Sequence, residues 1–155
     1  MNRYVNRALI AAGLVVACAP SLQAQAGKAS LRACSLVPKE EVKRYLPWAP
    51  ALDQFPVEEE PVGNSGSSCN YPSGTIQVMP FSQSMIEAAR KKGGLEALKR
   101  IGDEAYFYNN PNGYAEVYVK TGKYLVTVQA NARDKVDAVK PGAVDLAKAL
   151  VSKLR

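Results

Sequence analysis

The chain reads as a single α+β domain built on a mainly antiparallel sheet, and three features predict this class. Apolar residues alternate over 114–130 and fold back around Thr121-Gly122 as a hairpin. Two further short strand-like runs meet at Pro72-Ser73-Gly74. The C-terminal segment repeats apolar residues at intervals of three and four, as a helix with one buried stripe does. The predicted order is α-β-β-α-β-β-β-α, with the helices packed on one face of the sheet.

Taken in order, Pro38 suits the opening position of a first helix, where a missing N–H costs nothing. Val42, Tyr45 and Leu46 give that helix its apolar stripe, and Pro47 ends it. Residues 47–68 read as a long irregular stretch with scattered Trp48, Leu52, Phe55 and Val57 and an acidic run, Glu58-Glu59-Glu60. Strands follow at 69–71 and 75–81, with Ile76 and Val78 on one side, Gln77 on the other, and Pro80 confined to an edge or a strand end. Ser82 is placed to cap a second helix carrying Met85, Ile86, Ala88 and Ala89. Gly93-Gly94 interrupts it, and Leu95-Glu96-Ala97-Leu98 is expected to form another helical turn.

A strand at 105–108 turns its Phe107 to the core, and Asn109-Asn110-Pro111-Asn112-Gly113 is a turn. In the hairpin that follows, Ala115, Val117 and Val119 share one face, as do Tyr124, Val126, Val128 and Ala130. Pro141 is expected to open the last helix, whose stripe is Ala143, Leu146, Ala147, Leu150 and Leu154, with Val136 and Val139 in a separate turn before it.

Residues 1–26 read as an export signal, 27–33 as a loose segment and 34–155 as the domain. Arg3 and Arg7 form the charged start of the signal. An apolar run of about ten residues follows at 8–17, Pro20 breaks it, and Ala24 and Ala26 offer cleavage sites. The expected location is therefore periplasmic or secreted. Val15-Val16-Ala17-Cys18 loosely matches the motif for acylation at cysteine, so cleavage before Cys18 and a lipid anchor there form the alternative. Two of the twenty basic residues leave with the signal, lowering the formal charge from +6 to +4. Such a balance suits solubility or an acidic surface, and the expected compartment argues against nucleic acid as a target.

Cys34 and Cys69 form an even pair in an exported domain and read as a disulfide. Closing a loop of about 35 residues stabilises by roughly 3–4 kcal/mol in the chain-entropy model. A redox pair would need a spacing closer to C-x-x-C.

The sequence contains no histidine, which removes Ser-His-Asp triads, Cys-His pairs and imidazole metal ligands. A Ser-Lys nucleophile fails at Ser35-Leu36-Val37-Pro38, where proline occupies the lysine position. Paired carboxylates would have to come from Glu58, Glu59, Glu60, Asp103 and Glu104, although Asp103-Glu104 suits a strand entrance. No alternating acidic pattern for calcium is found, so no catalytic residue, metal or cofactor is expected.

Two surface features remain. Arg90, Lys91, Lys92, Lys99 and Arg100 form a basic cluster that suits lipid phosphates or an acidic partner, or simply a solvated helix face. Tyr106, Tyr108, Asn109, Asn110, Asn112 and Tyr114 surround an amide-rich turn. Aromatics there can stack on sugars or anchor a partner, although tyrosine is also an ordinary strand former.

Four short motifs follow one another: Cys34-Ser35-Leu36-Val37-Pro38-Lys39-Glu40-Glu41-Val42, Ser68-Cys69-Asn70-Tyr71, Gly102-Asp103-Glu104-Ala105-Tyr106 and residues 120–128, KTGKYLVTV. Together they resemble a broad group of small exported bacterial domains of unknown function, many of them lipoproteins. Val37 departs from the threonine usual at the helix entrance of that group. The resemblance spans most of residues 34–150 and implies the Cys34–Cys69 bridge and an α+β layout, with no catalytic residues to carry over.

The function expected from these readings is a non-enzymatic envelope or periplasmic binding domain for a protein, glycan or lipid, in contact with membrane only if Cys18 is acylated. One alternative is an inhibitor-like protein acting through 47–68. The other is a carboxylate-based hydrolase of envelope polymer.

Overall fold

A computed structural model describes residues 31–46, 54–133 and 135–155. The expected signal with Cys18, most of the loose segment, and Trp48 and Leu52 lie outside the described residues.

Two antiparallel meanders share one sheet. The first is β1 (Glu58–Val62), β2 (Gly66–Tyr71) and β3 (Gly74–Pro80); the second is β4 (Leu95–Leu98), β5 (Glu104–Asn110), β6 (Tyr114–Thr121) and β7 (Tyr124–Asn131). Pairing of β3 with β7 joins them, so the seven strands stand in the order β1-β2-β3-β7-β6-β5-β4, every pair antiparallel. The short helices α1 (Ala33–Leu36) and α2 (Lys39–Tyr45) precede the sheet. Helix α3 (Gln83–Lys91) carries the chain from β3 to the far edge, and α4 (Val136–Leu154) ends it.

Period-two alternation sorts the strands into two faces. One face carries Ile76, Val78, Phe107, Ala115, Val117, Val119, Val126 and Val128, all buried. Helix α4 seals it with Val139, Ala143, Leu146, Ala147, Leu150 and Val151. Val37, Val42 and Leu46 extend this core at the α1–α2 end, where the Tyr71 hydroxyl donates to the Val37 carbonyl at 2.8 Å. The Cys34–Cys69 disulfide ties α1 to β2. Beside it Ser67 Oγ accepts the Ala33 amide at 3.0 Å and donates to Glu59 at 2.8 Å, and Arg32 pairs with the same carboxylate at 2.9 Å. Burial opposes this charge, but the Ser67 and Arg32 hydrogen bonds outweigh it and hold the Glu59 carboxyl below its ordinary pKa.

The α+β class, the antiparallel sheet and the disulfide stand as expected. So do the sides taken by Ile76, Val78, Gln77 and Phe107 and by the 114–130 hairpin, and Pro80 ends its strand. Four expectations need correction.

The stretch 47–68 is not irregular throughout: Glu58–Val62 pairs along its length with β2. Its charges and Pro61 sit on the sheet's outer edge, where an unpaired N–H side tolerates both. Leu95–Leu98 is a strand rather than a helical turn. Gly93 and Gly94, at φ of 72° and 68°, turn the chain away from α3, and four residues are too few to nucleate a helix against the amides offered by β5. The last helix begins at Val136, with Pro141 inside it. Half-buried Val136 and buried Val139 continue the stripe across the proline, and their burial offsets the bond that Pro141 cannot donate. Finally, the helices do not all share a face. Ile86 of α3 packs on Met79 and Leu125, which point away from Val78 and Val126 and hence from α4.

Candidate functional site

The face opposite α4 is only partly covered, and its composition is unlike a core. Alternation sends Glu104, Tyr106, Tyr108 and Asn110 of β5 to this side together with Tyr114, Glu116, Tyr118 and Lys120 of β6. The register opposes Tyr106 to Tyr118, Tyr108 to Glu116 and Asn110 to Tyr114. On β3 and β7 the same side carries Thr75, Gln77, Thr127 and Gln129, in directly opposed pairs.

Glu116 lies at the centre and is only 4% exposed. Its carboxylate accepts from Asn110 Nδ2 at 2.5 Å, Gln129 Nε2 at 3.2 Å, the Tyr118 hydroxyl and Lys92 Nζ at 3.3 Å. Burial favours the neutral acid, but the Tyr118 and Asn110 hydrogen bonds and the Lys92 charge prevail, so the Glu116 pKa falls below its ordinary value. Burial and the hydrogen bond to Glu116 push the Tyr118 hydroxyl up to about 12. Lys92 Nζ also bonds the Tyr118 hydroxyl at 2.8 Å and lies over the Tyr108 and Tyr118 rings, 5.2 and 5.3 Å from their centroids.

A second ion pair stands beside the first. Arg90 reaches Glu104 at 2.6 Å and the Tyr106 hydroxyl at 2.8 Å, and that hydroxyl donates to Glu104 at 2.6 Å. The hydrogen bond from Tyr106 and the Arg90 charge hold the Glu104 carboxyl below its ordinary pKa. The C-terminal end of α3 is thus pinned to the sheet by two charged contacts while Ile86 and Ala89 pack beneath it. Between α3 and the sheet lies a groove of about 420 Å³.

Of the residues expected at the aromatic turn, Tyr106, Tyr108, Asn110 and Tyr114 share the open face. Asn109 points to the other side, because β5 runs on to Asn110 and alternation holds that far. Asn112 stays in the turn, its amide bonded to Asn110 Oδ1 at 2.9 Å. The basic cluster divides. Arg90 and Lys92 face the sheet and are neutralised there, Lys91 is exposed at the end of α3, and Lys99 and Arg100 lie exposed in the β4–β5 loop. The five thus sit on separate elements, since α3 ends at Lys91 and Leu95–Leu98 intervenes as a strand before Lys99 and Arg100.

The acids weighed for hydrolysis do not converge. Glu58, Glu59 and Glu60 lie on β1 and Glu104 on β5, with four strands between them, about 24 Å at the usual strand spacing. Asp103 accepts the Gly122 amide at 2.7 Å and fixes the β6–β7 turn. Among the described residues no group of three or more His, Cys, Asp or Glu is placed to hold a metal, and no helix is long and apolar enough to cross a membrane.

Glu116, Tyr118, Thr127 and Gln129 were not among the expected site residues, and Gln77 was expected only to face away from Ile76 and Val78. A signal was present: in Ala115-Glu116-Val117-Tyr118-Val119 polar residues alternate with core residues. Comparison with known protein families, with curated proteins and with solved structures returns no match for this chain.

Proposed function

We propose that this chain is an exported, non-enzymatic binding domain of the cell envelope, and that it holds its ligand or partner on the sheet face opposite α4. The observation that carries this reading is the half-exposed row Tyr106, Tyr108, Tyr114 and Tyr118 set around the buried, fully bonded Glu116. Tyrosines held by strands on both flanks offer large contact area at little entropic cost, and a rigid polar floor keeps them in place. The Cys34–Cys69 bridge supports an oxidising compartment, in accord with the signal expected over 1–26.

The reading is tested with immobilised mature protein exposed to solubilised envelope components. Tyr108→Ala and Tyr114→Ala are expected to abolish retention while the melting temperature stays close to wild type. Retention unchanged in both variants overturns the assignment of this face.

One observation favours a second reading, in which 47–68 docks on a partner as an inhibitor does: Phe55 is 54% exposed beside β1. In that case Phe55→Ala abolishes retention and the tyrosine variants do not.

A further inference from the structure

We infer that the groove between α3 and the sheet is a binding site for a small neutral saccharide. The inference rests on the open face being a binding surface, and it adds a particular seat and a class of ligand. At about 420 Å³ the groove falls within the size range of small-ligand sites.

Its floor is polar without being charged. Thr75 opposes Gln129 and Gln77 opposes Thr127 across the β3–β7 pair, which sets two amides and two hydroxyls side by side. Among the described residues the side chains of Gln77 and Thr127 make no hydrogen bond, so both are free to receive a ligand. One wall is apolar: Met79 and Leu125 from the sheet, Met85 and Ala88 from α3. Alanine on the helix leaves the width of the groove open, and methionine adapts to what enters.

The end wall decides the charge of the ligand. It is made by Lys92, Glu116 and Tyr118. The Glu116 carboxylate already takes four donors, and the Lys92 ammonium is bonded to Glu116 and Tyr118 and lies over two rings. An anion entering here meets Glu116 and a cation meets Lys92, and neither finds an unpaired countercharge. A purely apolar chain would strip water from Gln77 and Thr127 and return no hydrogen bond. A sugar ring matches both sides: its hydroxyls suit the amide and hydroxyl floor, and its C–H face suits Met85, Ala88 and the Tyr118 ring.

The test uses the mature wild-type protein, isotopically labelled and followed by amide NMR. Maltose and N,N′-diacetylchitobiose serve as neutral probes, with inorganic phosphate and octanoate as charged and apolar comparisons. A neutral disaccharide is expected to shift the amides of Gln77, Thr127 and Gln129. Ala88→Trp, at an exposed position of α3 and outside the tyrosine row, fills the groove and is expected to weaken that binding about tenfold or more. Gln77→Leu, which keeps the groove open, is expected to do the same by removing a hydrogen-bonding floor residue.

The inference is overturned if neither disaccharide shifts these amides, if only phosphate or octanoate does, or if the disaccharide binds both variants as tightly as wild type. Loss of envelope retention in Tyr108→Ala alongside silent disaccharide titrations would remove the groove site and leave the binding face standing. Disaccharide shifts at Gln77 and Thr127 alongside undiminished retention in the tyrosine variants would keep the groove and remove the wider face.

Discussion

Glu116 shows how the balance of burial and bonding is struck at a single residue. A carboxylate 4% exposed is costly to desolvate, and here four donors compensate it. The donors contribute unequally. Lys92 is 43% exposed and can turn to water if its partner is lost, whereas Asn110, Gln129 and Tyr118 converge on the carboxylate from the strands. Glu116→Ala is therefore expected to destabilise the fold by about 1–3 kcal/mol, because the strand donors lose their partner. Lys92→Met is expected to remove less, because Glu116 keeps its three strand donors and only the lysine end of the pair is open to water. Urea denaturation of both variants checks the ranking, and an equal loss in the two would show the ion pair to dominate instead.

At the scale of the elements, the disulfide holds a part of the chain that pairs weakly by itself. Helices α1 and α2 have four and seven residues, below the length at which helices persist alone, and β1 is an edge strand with three consecutive glutamates. The bond joins α1 to β2 across a sequence separation of 35. The double variant Cys34→Ala/Cys69→Ala is expected to lose roughly 3–4 kcal/mol in chemical denaturation, mostly through the entropy returned to the unfolded chain. The elements legible in the sequence were those whose own pattern decides them. Alternation in 114–130 and the stripe Ala143, Leu146, Ala147, Leu150 are unambiguous, and the structure keeps both. The elements missed are decided by neighbours. Glu58–Val62 has no strand pattern and becomes a strand because β2 offers it a ladder, and Leu95–Leu98 has helical composition and becomes a strand against β5. The tyrosines and amides of the turn were visible as a group, and alternation along β6 puts Glu116 on the side of Tyr114, but its place opposite Tyr108 depends on the β5–β6 register, which sequence spacing does not reveal.

Across the whole molecule, charged and phenolic groups are distributed so that stability should hold a plateau bounded at both ends of the pH scale. Glu59 anchors α1 at one side of the sheet, Glu104 and Glu116 anchor α3 at the other, and all three have pKa values below the ordinary 4.5 in the folded state. Below that value the unfolded chain takes up protons that the folded chain resists, so stability falls as pH drops. At the alkaline end the sign reverses in the same way. Burial and Glu116 raise Tyr118 from 10.0 to about 12, and burial raises Tyr71 as well. Lys92 is also raised: burial works against the shift, but its bonds to Tyr118 and Glu116 outweigh it. Above the ordinary values the unfolded chain releases protons that the folded chain retains, and stability falls as pH rises. Thermal unfolding across pH is expected to show a flat midpoint through neutrality, an acid decline beginning below 4.5 and an alkaline decline beginning near 10. Glu116→Gln should make the acid decline shallower and Tyr118→Phe the alkaline one, since each removes one of the groups whose proton affinity differs between the two states. An acid decline as steep in Glu116→Gln as in wild type would show that Glu116 does not contribute, and would place the acid sensitivity of the fold with Glu59 and Glu104 instead.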